Sequence, residues 1–145
     1  MSARRQSPRR PSSTRRGAIP PATVLVVDDE AAVCETIAEV LSLANYRVIT
    51  AASVVEAEAA MRRRGRAGFH LVIVDVHLTS EREVRAGYAL AQRWRARYPG
   101  LPVILISGDP RNEDLPDVRS GAMRFLLKPF RLEVFTEAVR QALGR

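Results

Sequence analysis

Five short apolar runs, Thr23–Glu30, Tyr46–Ala51, Phe69–His77, Pro102–Ser107 and Ala122–Leu127, alternate with amphipathic stretches, and this alternation limits the fold more than any other feature of the chain. The runs at Val24–Val27, Leu71–Val74 and Val103–Ile106 are apolar at every position. That pattern belongs to strands covered on both faces, as in a parallel sheet sandwiched by helices. Between the runs the spacing changes to three and four. Val33, Ile37, Val40, Leu41 and Ala44 predict a helix over 30–44. Ser53 and Glu56 form a capping box that opens a second helix to about Arg64, broken by Gly65 and Gly68. Leu90, Trp94 and Tyr98 mark one face of a third helix that Pro99-Gly100 stops. Residues 109–121 carry two prolines, Pro110 and Pro116, and four acids, so only a short or distorted helix is expected there, around Asp117–Ser120. Leu132, Phe135, Val139 and Leu143 line a final helix. Five strands joined by helices through right-handed crossovers make an α/β fold with helices on both faces of a parallel sheet.

Charge divides the chain into two regions. The 145 residues carry a net charge of +7, but residues 1–22 hold six arginines and no acid, which leaves 17 basic and 16 acidic side chains over residues 23–145. Residues 1–22 have almost nothing apolar to bury and are expected to be a disordered Arg/Pro/Ser-rich tail ahead of one domain at 23–145. Arginine pairs without a folded reader give only weak, salt-sensitive contacts to nucleic acid, so nucleic acid is not expected as the main partner. No apolar stretch is long enough for a signal peptide core or a membrane span, and a cytoplasmic protein with no membrane partner is expected. The single cysteine, Cys34, falls on the apolar face of the first helix and reads as a small buried hydrophobe.

In open parallel sheets the ligand crevice lies beyond the carboxyl ends of the strands. Strand one delivers Asp28 and Asp29 there, strand three Asp75, strand four Ser107 and strand five Lys128. Three aspartates gathered together repel unless a cation joins them. Oxygen ligands favour Mg²⁺, which suits carboxylates, water and phosphate oxygens. A carboxylate in such a site can attack a phosphoryl group, with the metal and an ammonium stabilising the charge on its oxygens. Lys128 supplies that ammonium and is the only lysine among 23 basic residues.

Val26-Val-Asp-Asp-Glu30, the strand-ending Asp75, Ser107-Gly108 and Phe125-Leu-Leu-Lys-Pro-Phe130 stand in an order and at separations that resemble the receiver domain of two-component response regulators. The resemblance covers residues 23–143. It implies a flavodoxin-like (CheY-like), doubly wound five-stranded sheet of order 2-1-3-4-5 and a cis Lys128–Pro129 bond. It implies Asp75 as phosphoacceptor and a Mg²⁺ ion held by Asp29, Asp75 and the backbone carbonyl of His77, with Asp28 acting through water. Lys128 and Ser107 would contact the phosphoryl group, and Ser107 and Phe125 would form the switch. His77 and Asp109, two residues after the phosphoacceptor and the switch hydroxyl, would tune dephosphorylation. Leu78-Thr79 replaces the family's usual Met-Pro pair, and the following charged loop to Gly87 is longer than usual.

The resemblance implies a histidine kinase or phosphotransfer protein as phosphodonor and a downstream protein as target. It also allows a homodimer through the face of helix four, strand five and helix five, with the oligomeric state left open. With no output domain read after the last helix, a stand-alone signalling receiver is expected rather than an enzyme. The alternative is an aspartate-nucleophile phosphatase, which would want a second acid where His77 stands. The two separate by turnover on phosphate esters.

Overall fold

The structure, a computed structural model, describes residues 20–144. The expectation of a disordered tail therefore falls almost wholly outside the described residues. Ala22, just ahead of the first strand, is fully buried and its carbonyl accepts the Arg47 N–H at 2.8 Å.

Five parallel strands, β1 (Thr23–Val27), β2 (Arg47–Ala51), β3 (Leu71–Asp75), β4 (Val103–Ser107) and β5 (Arg124–Leu127), lie in the order β2-β1-β3-β4-β5. The helices are α1 (Ala31–Leu43), α2 (Val54–Arg64), α3 (Ala86–Arg97), α4 (Pro116–Arg119) and α5 (Leu132–Leu143). The segment 109–121 is indeed distorted. A 3-10 turn over Pro110–Asp114 precedes the single turn of α4, and Pro116 opens that turn where its missing N–H costs nothing. Asn45, at φ 71°, takes the left-handed conformation that ends α1. At α2 the Ser53 hydroxyl accepts the Glu56 N–H as expected, but the Glu56 carboxylate reaches back to the N–H of Ala52 rather than that of Ser53.

Side-chain alternation in the central strands builds two separate cores. Val24 and Val26 of β1, Leu71 and Ile73 of β3, and Ile104 and Ile106 of β4 pack with Ile37, Leu41, Phe135 and Val139 of α1 and α5. Leu25, Val27, Val72, Val74, Val103 and Leu105 face the other way, onto Ala57 and Met61 of α2 and Leu90 and Trp94 of α3. Every residue of β1, β3 and β4 is buried, which is why these strands show no polar alternation in the sequence. The edge strands β2 and β5 are partly exposed.

Counting by two within and just beyond the strands, Asp28 follows Val26, Asp75 follows Ile73 and Lys128 follows Leu126, residues that face α1 and α5. Ser107 follows Leu105, and Phe125 packs with the α2/α3 core.

Candidate functional site

Asp28 is fully buried at the end of β1, where its N–H donates to the Ala51 carbonyl of β2 at 3.1 Å. Its Oδ1 accepts the Glu30 N–H at 2.9 Å, which fixes the carboxylate against the start of α1. Asp75, 5 % exposed, closes β3, and its Oδ1 accepts the His77 N–H at 3.0 Å. Behind it Gly87 is the second residue of α3. A Cβ on Gly87 would drive into the Asp75 carbonyl oxygen, so only glycine lets this helix start seat directly on the strand end. The Lys128 N–H extends the sheet by donating to the Ser107 carbonyl at 2.7 Å. The Lys128–Pro129 bond is cis.

Lys128 Nζ lies 2.8 Å from Asp75 Oδ2, 3.3 Å from Asp28 Oδ2 and 3.1 Å from Glu30 Oε1. Carboxylate oxygens of Asp28, Glu30 and Asp75 all fall within 4.8 Å of one another. Of the expected trio of Asp28, Asp29 and Asp75, the structure brings Asp28 and Asp75 together and adds Glu30 to them. A bend at Asp29, closed by the Glu30 N–H on Asp28 Oδ1, sets Glu30 beside Asp28. Asp29 instead accepts hydrogen bonds from Thr79 Oγ1 at 2.7 Å and from the Ser80 N–H at 2.9 Å.

The electrostatics follow from this placement. Burial pushes the Asp28 carboxyl up to about 6; the Asp75 charge adds to the rise, while the Glu30 N–H and Lys128 oppose it. Burial alone would lower Lys128, but its bonds to Asp75 and the charges of Asp75 and Asp28 hold it above the ordinary lysine range. Asp29 is held below the usual carboxylate range because its bonds from Thr79 and Ser80 outweigh its slight burial. Cys34 donates its thiol to the Asp28 carbonyl at 3.1 Å, and burial pushes it up to about 11, so it is an inert packing residue as the sequence suggested.

The remaining residues singled out in the sequence sit around this cluster. Ser107 is fully buried, and its Oγ accepts the Asp109 N–H at 3.0 Å and Asn112 Nδ2 at 2.7 Å. The Asp109 carboxylate is turned to Arg111, which holds it down at about 2. His77 has its ring between the Val84 carbonyl, 2.8 Å from Nδ1, and Asn112, 2.9 Å from Nε2. Phe125 is half-buried against the α2/α3 core. Sequence reasoning missed Glu30, Thr79 and Asn112. The i, i+2 relation to Asp28 could have found Glu30; nothing local marks the other two.

Three convergent carboxylates, one of them desolvated and reluctant to ionise, form an oxygen-only donor set with more negative charge than one ammonium balances. That chemistry fits a hard divalent cation such as Mg²⁺. The cluster opens into a cavity of about 680 Å³ whose lining includes Glu30, Asp75, His77, Thr79 and Lys128. It has room for a phosphoryl group.

The model of the response regulator receiver domain family matches residues 24–140. Among curated proteins the chain is 34% identical over 126 residues to the response regulator protein FleR of Pseudomonas aeruginosa, covering 86% of this chain and 25% of FleR. It is 32% identical to the probable transcriptional regulatory protein TcrX of Mycobacterium tuberculosis, covering 90% of this chain and 53% of TcrX. The chain thus spans from a quarter to about half of the length of these two relatives. Among solved structures, the response regulator protein TrrA of Thermotoga maritima in complex with Mg(2+)-BeF superposes with a TM-score of 0.70 at 26% identity, covering 84% of this chain and 99% of that one. These likenesses favour a receiver over a phosphatase. Among the described residues no helix is long and apolar enough to cross a membrane.

Proposed function

Because the chain belongs to the response regulator receiver domain family, a family of signalling domains, we propose that Asp75 is its phosphoacceptor, fed by a histidine kinase or phosphotransfer protein in the cytoplasm. The observation that carries this reading is the meeting of Lys128 Nζ with Asp75 and Asp28 at the ends of three strands. In the transfer an Asp75 oxygen bonds to phosphorus as the phosphorus–nitrogen bond of the donor phosphohistidine breaks. The freed imidazole keeps the electron pair and takes a proton, and the product is an acyl phosphate.

Asp28, Asp29, Asp75 and the backbone carbonyl of His77 would hold the Mg²⁺ ion, with Glu30 near enough to join them. Bound there, the ion would offset the charge gathering on the phosphoryl oxygens. The bonds from Thr79 and Ser80 both fall on Oδ2 of Asp29. Lys128 orients Asp75 and then stays with the phosphoryl oxygens. Ser107 supplies a hydroxyl to the same group, and Phe125, on the same side of the sheet, turns with it. Phosphorylation shifts the population only by such differential contacts. His77 and Asp109 stand where they would limit the approach of a hydrolytic water. The output is protein–protein contact on the α4, β5 and α5 face, by a target protein or a second copy of the chain. That face carries exposed Leu127, Leu132 and Val134.

Incubation with acetyl phosphate and Mg²⁺, read by intact mass, tests the reading. The expected result is one phosphoryl increment on the wild type and none on Asp75→Ala. An increment that persists in the variant, or repeated turnover of phosphate esters, overturns it.

A further inference from the structure

Asn112 lies in the exposed, acid-rich segment after β4, yet it is fully buried. Its amide makes three side-chain hydrogen bonds. Nδ2 donates to Ser107 Oγ at 2.7 Å and to His77 Nε2 at 2.9 Å, and Oδ1 accepts from Arg85 Nε at 3.2 Å. With His77 Nε2 accepting, Nδ1 carries the ring proton and donates to the Val84 carbonyl at 2.8 Å. One side chain therefore ties the end of β4 to the end of β3 and to the far end of the 78–85 loop. The near end of that loop is tied to Asp29 through Thr79 and Ser80, and its middle to α2 through the Val54 N–H and Glu81.

Ser107 Oγ accepts twice, but its own O–H hydrogen is taken by none of the described residues. A phosphoryl oxygen on the neighbouring strand end would be the acceptor it lacks. Turning toward that acceptor breaks the bond from Asn112, and a buried amide N–H left without an acceptor is costly. Asn112 must then move, and its bonds to His77 and Arg85 loosen as it does.

We propose that Asn112 is a positioning residue that couples the Ser107 hydroxyl to the 78–85 loop, making this loop a second surface, apart from the α4, β5 and α5 face, that changes on phosphorylation. The coupling rests on the reading of Asp75 as phosphoacceptor. The loop presents Arg82, Glu83 and Val84 to solvent, with Val84 76% exposed, so the surface it would alter is charged with one apolar centre.

Hydrogen exchange over residues 78–86, measured by mass spectrometry on the full chain with Mg²⁺ and with or without acetyl phosphate, tests this. In the wild type, phosphorylation should speed exchange of this segment about tenfold, the loss of one buried hydrogen bond. Asn112→Ala should exchange at that faster rate without the phosphodonor. It should still gain the phosphoryl increment by intact mass, yet show no further change in the loop. His77→Phe, which cuts only the loop side of the network, should speed the resting loop likewise and decides the matter if Asn112→Ala does not fold. A resting loop as slow in both variants as in the wild type overturns the proposal, as does a loop response to phosphorylation that survives in Asn112→Ala. A merely structural role for Asn112 predicts that surviving response. If the wild type takes no phosphoryl group, the phosphoacceptor reading fails by mass, while the resting comparison still decides whether Asn112 holds the loop.

Discussion

Asp28→Asn should make the metal-free protein more stable at neutral pH. Asp28 is fully buried, and the distance between its ordinary value of 3.8 and about 6 corresponds to about 3 kcal/mol spent in ionising it inside the fold. Lys128 can settle on Asp75 and Glu30 when Asp28 loses its charge, and Asn keeps an oxygen for the Glu30 N–H, so about 2–3 kcal/mol should be recovered. For a domain of this size that is a rise in Tm of roughly 8–12 °C. The sign follows from linkage. Between about pH 4 and pH 6 the folded protein binds a proton at Asp28 that the unfolded chain has released, so this group's contribution to stability falls as pH rises through that window. Wild type and variant should therefore unfold alike near pH 4 and diverge until about pH 7. The assay is thermal unfolding by circular dichroism in chelator from pH 4 to 8. Equal stability at pH 7.5, or a gap that does not change with pH, refutes the reasoning. With Mg²⁺ added, the gap should narrow, since a ligand that binds only the folded form stabilises it by mass action and the wild type has the fuller site.

Three further outcomes are expected. Gly87→Ala should cost at least about 3 kcal/mol in urea denaturation and sharply reduce labelling of Asp75, because the new Cβ displaces the strand end that carries it. Lys128→Ala should cost about 3 kcal/mol in urea denaturation at pH 8, where three carboxylates lose their shared partner, and the deficit should shrink when Asp28→Asn is added; a deficit unchanged by the second substitution would show that the ammonium is not their counter-charge. Phe125→Ala should cost about 2 kcal/mol of packing and should abolish the phosphorylation-dependent change in exchange over β5 and α5, while Asp75 is still labelled. A surviving change would remove Phe125 from the switch.

Much of this arrangement is legible in the chain because alternation is a rigid rule inside a strand. Val24–Val27, Leu71–Val74 and Val103–Ile106 announce themselves by lacking polar positions, and the sheet order follows once five such strands are joined by helices. Asp28, Asp75 and Lys128 could be placed together for the same reason. Glu30 was passed over because the acids at the end of β1 were counted only as far as Asp29. The role of Asn112 was hidden for a different reason. Its burial depends on a 3-10 turn in a proline-broken segment and on a histidine 35 residues away, and no local period encodes a contact of that kind. Thr79 is similar: its bond to Asp29 spans 50 residues and depends on how a loop is draped.

The solitary lysine has a practical consequence. Lys128 is the chain's only side-chain amine, and its side chain is 18% exposed while its carboxylate neighbours keep it protonated and unreactive. Whatever draws those neighbours away frees the nitrogen lone pair, so the yield of acylation at this one nitrogen is an internal gauge of how the pocket's charges are shared.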